Sequence, residues 1–280
     1  MLKMKGEDNM FKGKKLLVVF LIIVGVVLLP LINFSEAEVS ASEKLKVGAT
    51  PVPHAEILEH IKDELADVGV DIEIVEFTDY VTPNLALADG SIDANFFQHV
   101  PYLDQFKEDR GLDLTYTKKV HIEPYGLYSE KVSKVKDLPK GAVIALPNDP
   151  SNEARALQIL HRKGLIELND PENLKATPLD IVDNPKNFEF KELEAAQLPR
   201  VLGDVDAAFI NTNYALEANF NPVEDALLIE DKESPYANVL AVREGEEDNY
   251  GIRMLSKFLT GRKVKDFIEK NYGGSIVPAF

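Results

Sequence analysis

The sequence predicts an α/β protein of two lobes with mainly parallel sheets, joined by two crossovers, with a ligand cleft between the lobes. Two observations carry this. A strand, a proline-containing turn and a helix follow one another twice, in "KLKVGATPVPHAEILEHIKDEL" and in "AVIALPNDPSNEARALQIL". The segments after them also correspond. Glu76 lies seven residues before Pro83 and Glu192 seven before Pro199, and "GSIDANFFQ" pairs with "GDVDAAFIN", so Gln98 corresponds to Asn211. Strands alternating with helices make parallel sheets, and such sheets bind ligands outside the carboxyl ends of their strands.

The elements follow in order. Lys12, Lys14 and Lys15 precede the apolar run Leu16–Ile32. A basic flank and an apolar core make a signal peptide, and the run is also near the length of a membrane span. Residues 1–37 are therefore a signal peptide or an N-terminal membrane anchor, with Ser35 and Ala37 as small residues at a cleavage site. Residues 38–44 are a linker. Residues 45–126 begin the first lobe. Leu45–Ala49 is a strand, and Ala55, Ile57, Leu58, Ile61 and Leu65 recur at helical spacing. "VDIEIVEF" alternates as a strand, "PNLALADG" is a helix stopped at Gly90, and "IDANFF" is a third strand. Residues 127–236 form the second lobe, entered through "YGLYSEKVSKV". It repeats the order, with "FEFKEL" and "DAAFIN" as strands and "AAQLPRVLGD" as a helix ending at Gly203. "SPYANVLAVRE" returns the chain to residues 237–280, where two helices break at Gly261.

Bulk composition narrows the function. The net charge is −16, from 47 acidic and 31 basic residues. Nucleic acid demands a basic face, so it is excluded as a partner, and self-repulsion favours a soluble monomer. The chain has no cysteine, which removes disulfides, thiolate metal sites and cysteine nucleophiles. Phosphate-binding glycine motifs and the nucleophile elbow are missing. The five histidines His54, His60, His99, His121 and His161 offer no compact metal spacing. No cofactor and no catalytic residue is predicted.

The strand rule selects five loops: Thr50–His54, Thr78–Pro83, Gln98–Tyr102, Asn148–Asn152 and Asn211–Tyr214. Alternation turns Phe96 and Phe97 to opposite faces, so one is core and the other is free to line a cleft. Phe97, His99, Tyr80 and Tyr102 suit the wall of a small, partly apolar ligand; the alternatives are core packing and helix capping. Asn148, Asp149, Ser151 and Asn152 are helix-capping types at a helix start. There, backbone N–H groups favour an anion, and Arg155 adds a grip suited to a carboxylate. The alternative is that Arg155 pairs with Glu153 or another surface acid. Asn211 and Asn238 can bond a polar ligand or simply form turns.

Together, "DGSIDANFFQHVPYLD", "LPNDPSNEARAL", "AFINTNYA" and "ESPYANVLAVREG" resemble the methionine-binding lipoprotein family, the substrate-binding subunits of methionine ABC importers. The resemblance runs from about Lys46 to the end. It implies a type II periplasmic-binding-protein fold, a ligand such as L-methionine, and capture without chemistry. By motif position, Arg155 clamps the ligand carboxylate, and Asn211 and Asn238 hold its polar backbone atoms. Tyr80, Phe97, His99 and Tyr102 surround the thioether. The implied partners are the importer's permease and ATPase. A methionine-containing dipeptide or another apolar amino acid is the alternative ligand, and an enzyme using His99 is the alternative class. Members of the family carry a lipidated cysteine after the signal core. This chain has none, so the resemblance leaves two extracytoplasmic forms: release, or tethering by an uncleaved Leu16–Ile32.

Overall fold

The computed structural model describes residues 42–231 and 234–280. The predicted signal or anchor, residues 1–37, lies outside them, as does most of the linker. Among the described residues no helix is long and apolar enough to cross a membrane.

Strand β1 (Glu43–Ala49) starts before the predicted apolar run, because Glu43 and Lys44 pair with Val70 and Asp71. A turn at Pro51–Ala55 leads into α1 (Glu56–Asp67). Strand β2 (Val70–Glu76), helix α2 (Thr82–Ala88), strand β3 (Ala94–His99), helix α3 (Val100–Arg110) and strand β4 (Leu114–Ile122) follow. Gly90, at φ 80°, ends the α2 segment in the left-handed region that glycine adopts without strain. Then come β5 (Gly126–Tyr128), β6 (Val143–Pro147), α4 (Pro150–Arg162), the hairpin β7 (Glu167–Leu168) and β8 (Ile181–Asp183), β9 (Glu189–Leu193) and β10 (Ala207–Ile210). Helices α5 (Thr212–Glu217) and α6 (Pro222–Asp225), strands β11 (Leu228–Ile229) and β12 (Ala237–Arg243), helices α7 (Tyr250–Leu259) and α8 (Arg262–Tyr272), and strand β13 (Val277–Pro278) complete the chain.

The strand order is β13-β4-β12-β3-β1-β2 in one sheet and β11-β5-β10-β6-β9 in the other. The duplicated motif is visible in both. β1 lies between β2 and β3, and β6 lies between β9 and β10, all parallel. Antiparallel strands extend each triplet: β12 against β3 and β4, and β5 against β10 and β11. The chain leaves the first sheet after Ile122, enters the second at Gly126, and returns between Ile229 and Ala237.

One predicted helix differs. Ala195–Val201 forms a 3₁₀ segment, since Pro199 supplies no N–H for an α-helical ladder. At the other break the pattern is simple: α7 stops at Leu259, and Gly261 caps the start of α8.

Each sheet is packed by its own helices. Ile57, Leu58, Ile61 and Leu65 of α1 are fully buried against Val47, Phe96, Leu240 and Leu255. Leu157 and Leu160 of α4 pack with Ile144, Leu146 and Phe209. Each such side chain contributes about 1.5–3 kcal/mol when taken out of water. These two cores fix the strand ends that face each other.

Candidate ligand-binding site

Three strand ends build the site. At the end of β3, the chain turns into α3 with Pro101 in the first turn. His99 caps that helix: its Nδ1 accepts from the Tyr102 N–H at 3.1 Å. Its Nε2 must then carry the proton, and it faces Asn152 Oδ1 at 3.1 Å. Burial and the neighbouring Arg155 charge lower the His99 pKa to about 3, so the ring is neutral near pH 7. Phe96 enters the core, and Phe97 packs with Tyr102 and Phe106, as alternation requires.

At the end of β6, Asp149 caps α4 by accepting from the Asn152 N–H at 3.0 Å. This corrects part of the anion-site expectation. The helix start is closed by its own aspartate, so that N–H is not offered to a ligand. Asn152 acts instead as a junction. Its Nδ2 donates to both Asp149 oxygens, and its Oδ1 meets His99 and Asn211 Nδ2, the latter at 3.0 Å.

Arg155 is buried, at 2% exposure, so it is no surface cation. Neither alternative weighed for it is complete. Its partner is Glu230 rather than Glu153, through Nε at 3.2 Å and through Nη2. Nη2 also donates to the Glu123 carbonyl at 2.8 Å. The Tyr236 ring lies 4.2 Å from the guanidinium carbon and the Tyr125 ring 5.0 Å, a cation–π clamp. Burial works to lower the Arg155 pKa, but Glu230 outweighs it and the net shift is upward. The Nη1 edge is the part of the fork not engaged by these contacts.

At the end of β10, Asn211 starts α5. Its Oδ1 is buried without a partner. Asn213 accepts from the Tyr80 hydroxyl at 2.5 Å, while its Nδ2 is buried without a partner. Unpaired buried amides are costly, and here both belong to residues facing one cavity. Asn238 joins from β12, where the register sets it opposite His99 on one side and His121 on the other.

The cavity is narrow and partly open, with about 20 Å³ free for the centre of a water-sized group. Tyr80, Phe97, His99, Tyr102, Arg155, Asn211 and Asn238, all seven candidates from the sequence, line it. Tyr80 lies 5.9 Å from Phe97 and 5.7 Å from Tyr102, ring to ring, and accepts from the Tyr102 hydroxyl through its carbonyl at 2.8 Å. The wall is thus aromatic at one end and amide and guanidinium at the other. Four of the five selected loops contribute; Thr50–His54 lies behind, with His54 reaching Asn238 at 3.2 Å.

Five lining residues were not singled out as ligand contacts: Gln98, Glu123, Asn152, Thr212 and Asn213. Gln98 is engaged elsewhere, in a buried amide network with Asn84 and Asn95. Glu123 matters more. His121 Nε2 meets its Oε1 at 2.8 Å and His54 Nε2 at 3.3 Å. Burial works to raise the Glu123 pKa, but His54, the His121 hydrogen bond and Arg155 outweigh it, holding the carboxyl below its usual range. The fold gathers His54, His121 and Glu123 until their ligating atoms lie within 4.8 Å, a cluster that linear spacing hides. His121 hydrogen-bonds the carboxylate, while the His54 hydrogen bond goes to Asn238. A signal existed: Glu123 follows His121 by two residues, just beyond the end of β4.

The comparisons with known proteins agree with this architecture. The NlpA lipoprotein family model matches residues 45–280. The methionine-binding lipoprotein MetQ of Bacillus subtilis is 44% identical over 246 residues, covering 85% of this chain and 89% of that protein. The D-methionine-binding lipoprotein MetQ of Escherichia coli is 41% identical over 236 residues, covering 83% and 87%. Among solved structures, a nutrient-binding protein from Burkholderia cenocepacia bound to methionine superposes with a TM-score of 0.82 at 46% identity, covering 84% of this chain and all of that one. These likenesses carry the fold as a type II periplasmic-binding-protein arrangement, and the chain belongs to the NlpA lipoprotein family.

Proposed function

We propose that this protein is the extracytoplasmic substrate-binding subunit of an ABC importer and captures methionine in the cavity between its sheets. The observation that carries the reading is the polarity of that cavity. Arg155, Asn211 and Asn213 present charged or unpaired polar atoms at one end, and Tyr80, Phe97 and Tyr102 form an aromatic wall. A zwitterion with an apolar side chain needs both environments at once. Relatives named for methionine support the choice of ligand. Arg155 takes the carboxylate, Asn211 and Asn238 hold the polar backbone atoms, and Tyr80, Phe97, His99 and Tyr102 enclose the thioether. Residues 45–126 with 237–280 act as one lobe and 127–236 as the other, closing over the ligand and opening to the permease and its ATPase. With no cysteine to lipidate, the Leu16–Ile32 segment tethers the protein. The ligand leaves unchanged; His99, neutral and committed to a cap and to Asn152, is poorly placed to act as a base.

Mass spectrometry of the purified protein is expected to find retained methionine. After the ligand is stripped, calorimetry is expected to show one-to-one binding of L-methionine at micromolar concentration or below. A flat titration, or conversion of the bound ligand to a product, overturns the reading.

A further inference from the structure

Glu123 is the acidic side chain of the cavity wall. Arg155 and Glu230 are in direct contact and neutralise each other. His99 is neutral, as is His54, whose pKa burial lowers to about 4. His121 Nε2 meets Glu123 Oε1 at 2.8 Å, and its Nδ1 finds no partner. Glu123, held below the usual carboxylate range, is negatively charged near pH 7. It is 7% exposed, and it lines the cavity.

Its acceptor positions are partly filled. Oε1 takes His121 and lies 3.3 Å from His54 Nε2, whose hydrogen bond goes to Asn238 Oδ1, and Oε2 takes the Asn213 N–H at 3.2 Å. A carboxylate has about four lone-pair sites, so room remains for a further donor. His54 is itself fixed from behind, its Nδ1 2.7 Å from Thr50 Oγ1. A second acceptor, Asn211 Oδ1, is buried without a partner in the same wall. A ligand ammonium supplies donors that a buried carboxylate and a buried amide oxygen both accept.

The spacing is also informative. Arg155 Nη2 donates to the backbone carbonyl of Glu123, so the guanidinium lies beside the residue that carries the carboxylate. The two charges of an α-amino acid are attached to one carbon and its neighbour. In a dipeptide the terminal charges lie further apart by one residue, about 3.3–3.6 Å when extended.

We propose that Glu123 is the counter-charge for the ligand's α-ammonium, oriented by His54 and His121, and that its adjacency to Arg155 restricts the site to free α-amino acids. The inference rests on the amino-acid reading above. It assigns a selectivity: ligands whose nitrogen is acylated, including a dipeptide ending in methionine, place an uncharged amide against Glu123 and are rejected.

Calorimetry with L-methionine, N-acetyl-L-methionine and glycyl-L-methionine tests this on the full chain and on Glu123→Gln. The wild type is expected to bind both acylated ligands at least roughly 10- to 100-fold more weakly than methionine, the worth of one charged hydrogen bond. In Glu123→Gln the ratio of methionine to N-acetylmethionine affinity is expected to fall at least tenfold. Wild-type affinity for either acylated ligand within threefold of methionine overturns the proposal without any variant. So does an unchanged ratio in Glu123→Gln. Absence of methionine binding in the wild type removes the amino-acid reading and this proposal together.

Discussion

Arg155 is tied into the fold by partners far apart in the chain. Two of its nitrogens hold Glu230, which lies 75 residues away, and one of these also holds the Glu123 carbonyl. The guanidinium is thus a structural cation with one edge left for a carboxylate. Its removal has a consequence that a ligand clamp alone would not have. Arg155→Ala leaves Glu230 buried and unpaired, which costs about 3–5 kcal/mol of stability. Methionine binding is expected to vanish as well. Urea unfolding of the ligand-free variant separates the two effects; an unchanged midpoint means that Glu230 has found another partner, with Arg162 at 3.9 Å the nearest basic group.

At the scale of elements, the start of α4 is the piece on which the polar end depends. Asp149 caps the helix, and the same carboxylate fixes the Asn152 amide. Asn152 in turn holds His99 and Asn211, which belong to different strand ends. Asp149→Ala is expected to cost about 0.5–2 kcal/mol as a lost cap. It is also expected to weaken methionine binding several-fold although Asp149 does not line the cavity, because the Asn152 junction loses its anchor. Calorimetry at a temperature well below unfolding reads this; full affinity in a destabilised variant means that the cap and the site are independent. The strand-and-helix grammar itself was legible from periodicity, since Ile57, Leu58, Ile61 and Leu65 announce the buried face of α1 without any tertiary information. The 3₁₀ segment at Ala195–Val201 was less so, because its apolar spacing is helical and only Pro199 argues otherwise.

For the whole molecule, the buried histidines set a pH dependence. In the unfolded chain His54 and His99 protonate near pH 6.5, but in the folded chain only near 4 and 3. Between these values the unfolded state binds more protons, so stability falls as pH falls. The loss is about 1.4 kcal/mol per pH unit for each histidine once below its unfolded pKa. Glu123, held below its usual range, adds a loss in the same direction at still lower pH. Thermal melts from pH 7 to pH 4 are expected to show this decline, with a shallower slope in His54→Gln. A slope unchanged in His54→Gln means that this ring is not held neutral by the fold. The same network joins the two crossings of the chain: Arg155 reaches Glu123 after β4 and Glu230 after β11.

The sequence by itself determined the duplicated α/β design and a set of seven residues that gather at one cavity. These follow from local signals: periodicity of burial, turn residues, and alternation along strands such as β3 that sends Phe96 inward and Phe97 to the cleft. Only the tertiary structure decided which partners those residues have. Tyr80 meets Asn213 across 133 positions, and His54 meets Asn238 across 184. No local pattern encodes such contacts. Burial then acts on what the fold has gathered, keeping His54 and His99 neutral and leaving Glu123 charged. An acid in a row of 47 carries no mark of that role until its neighbours are known.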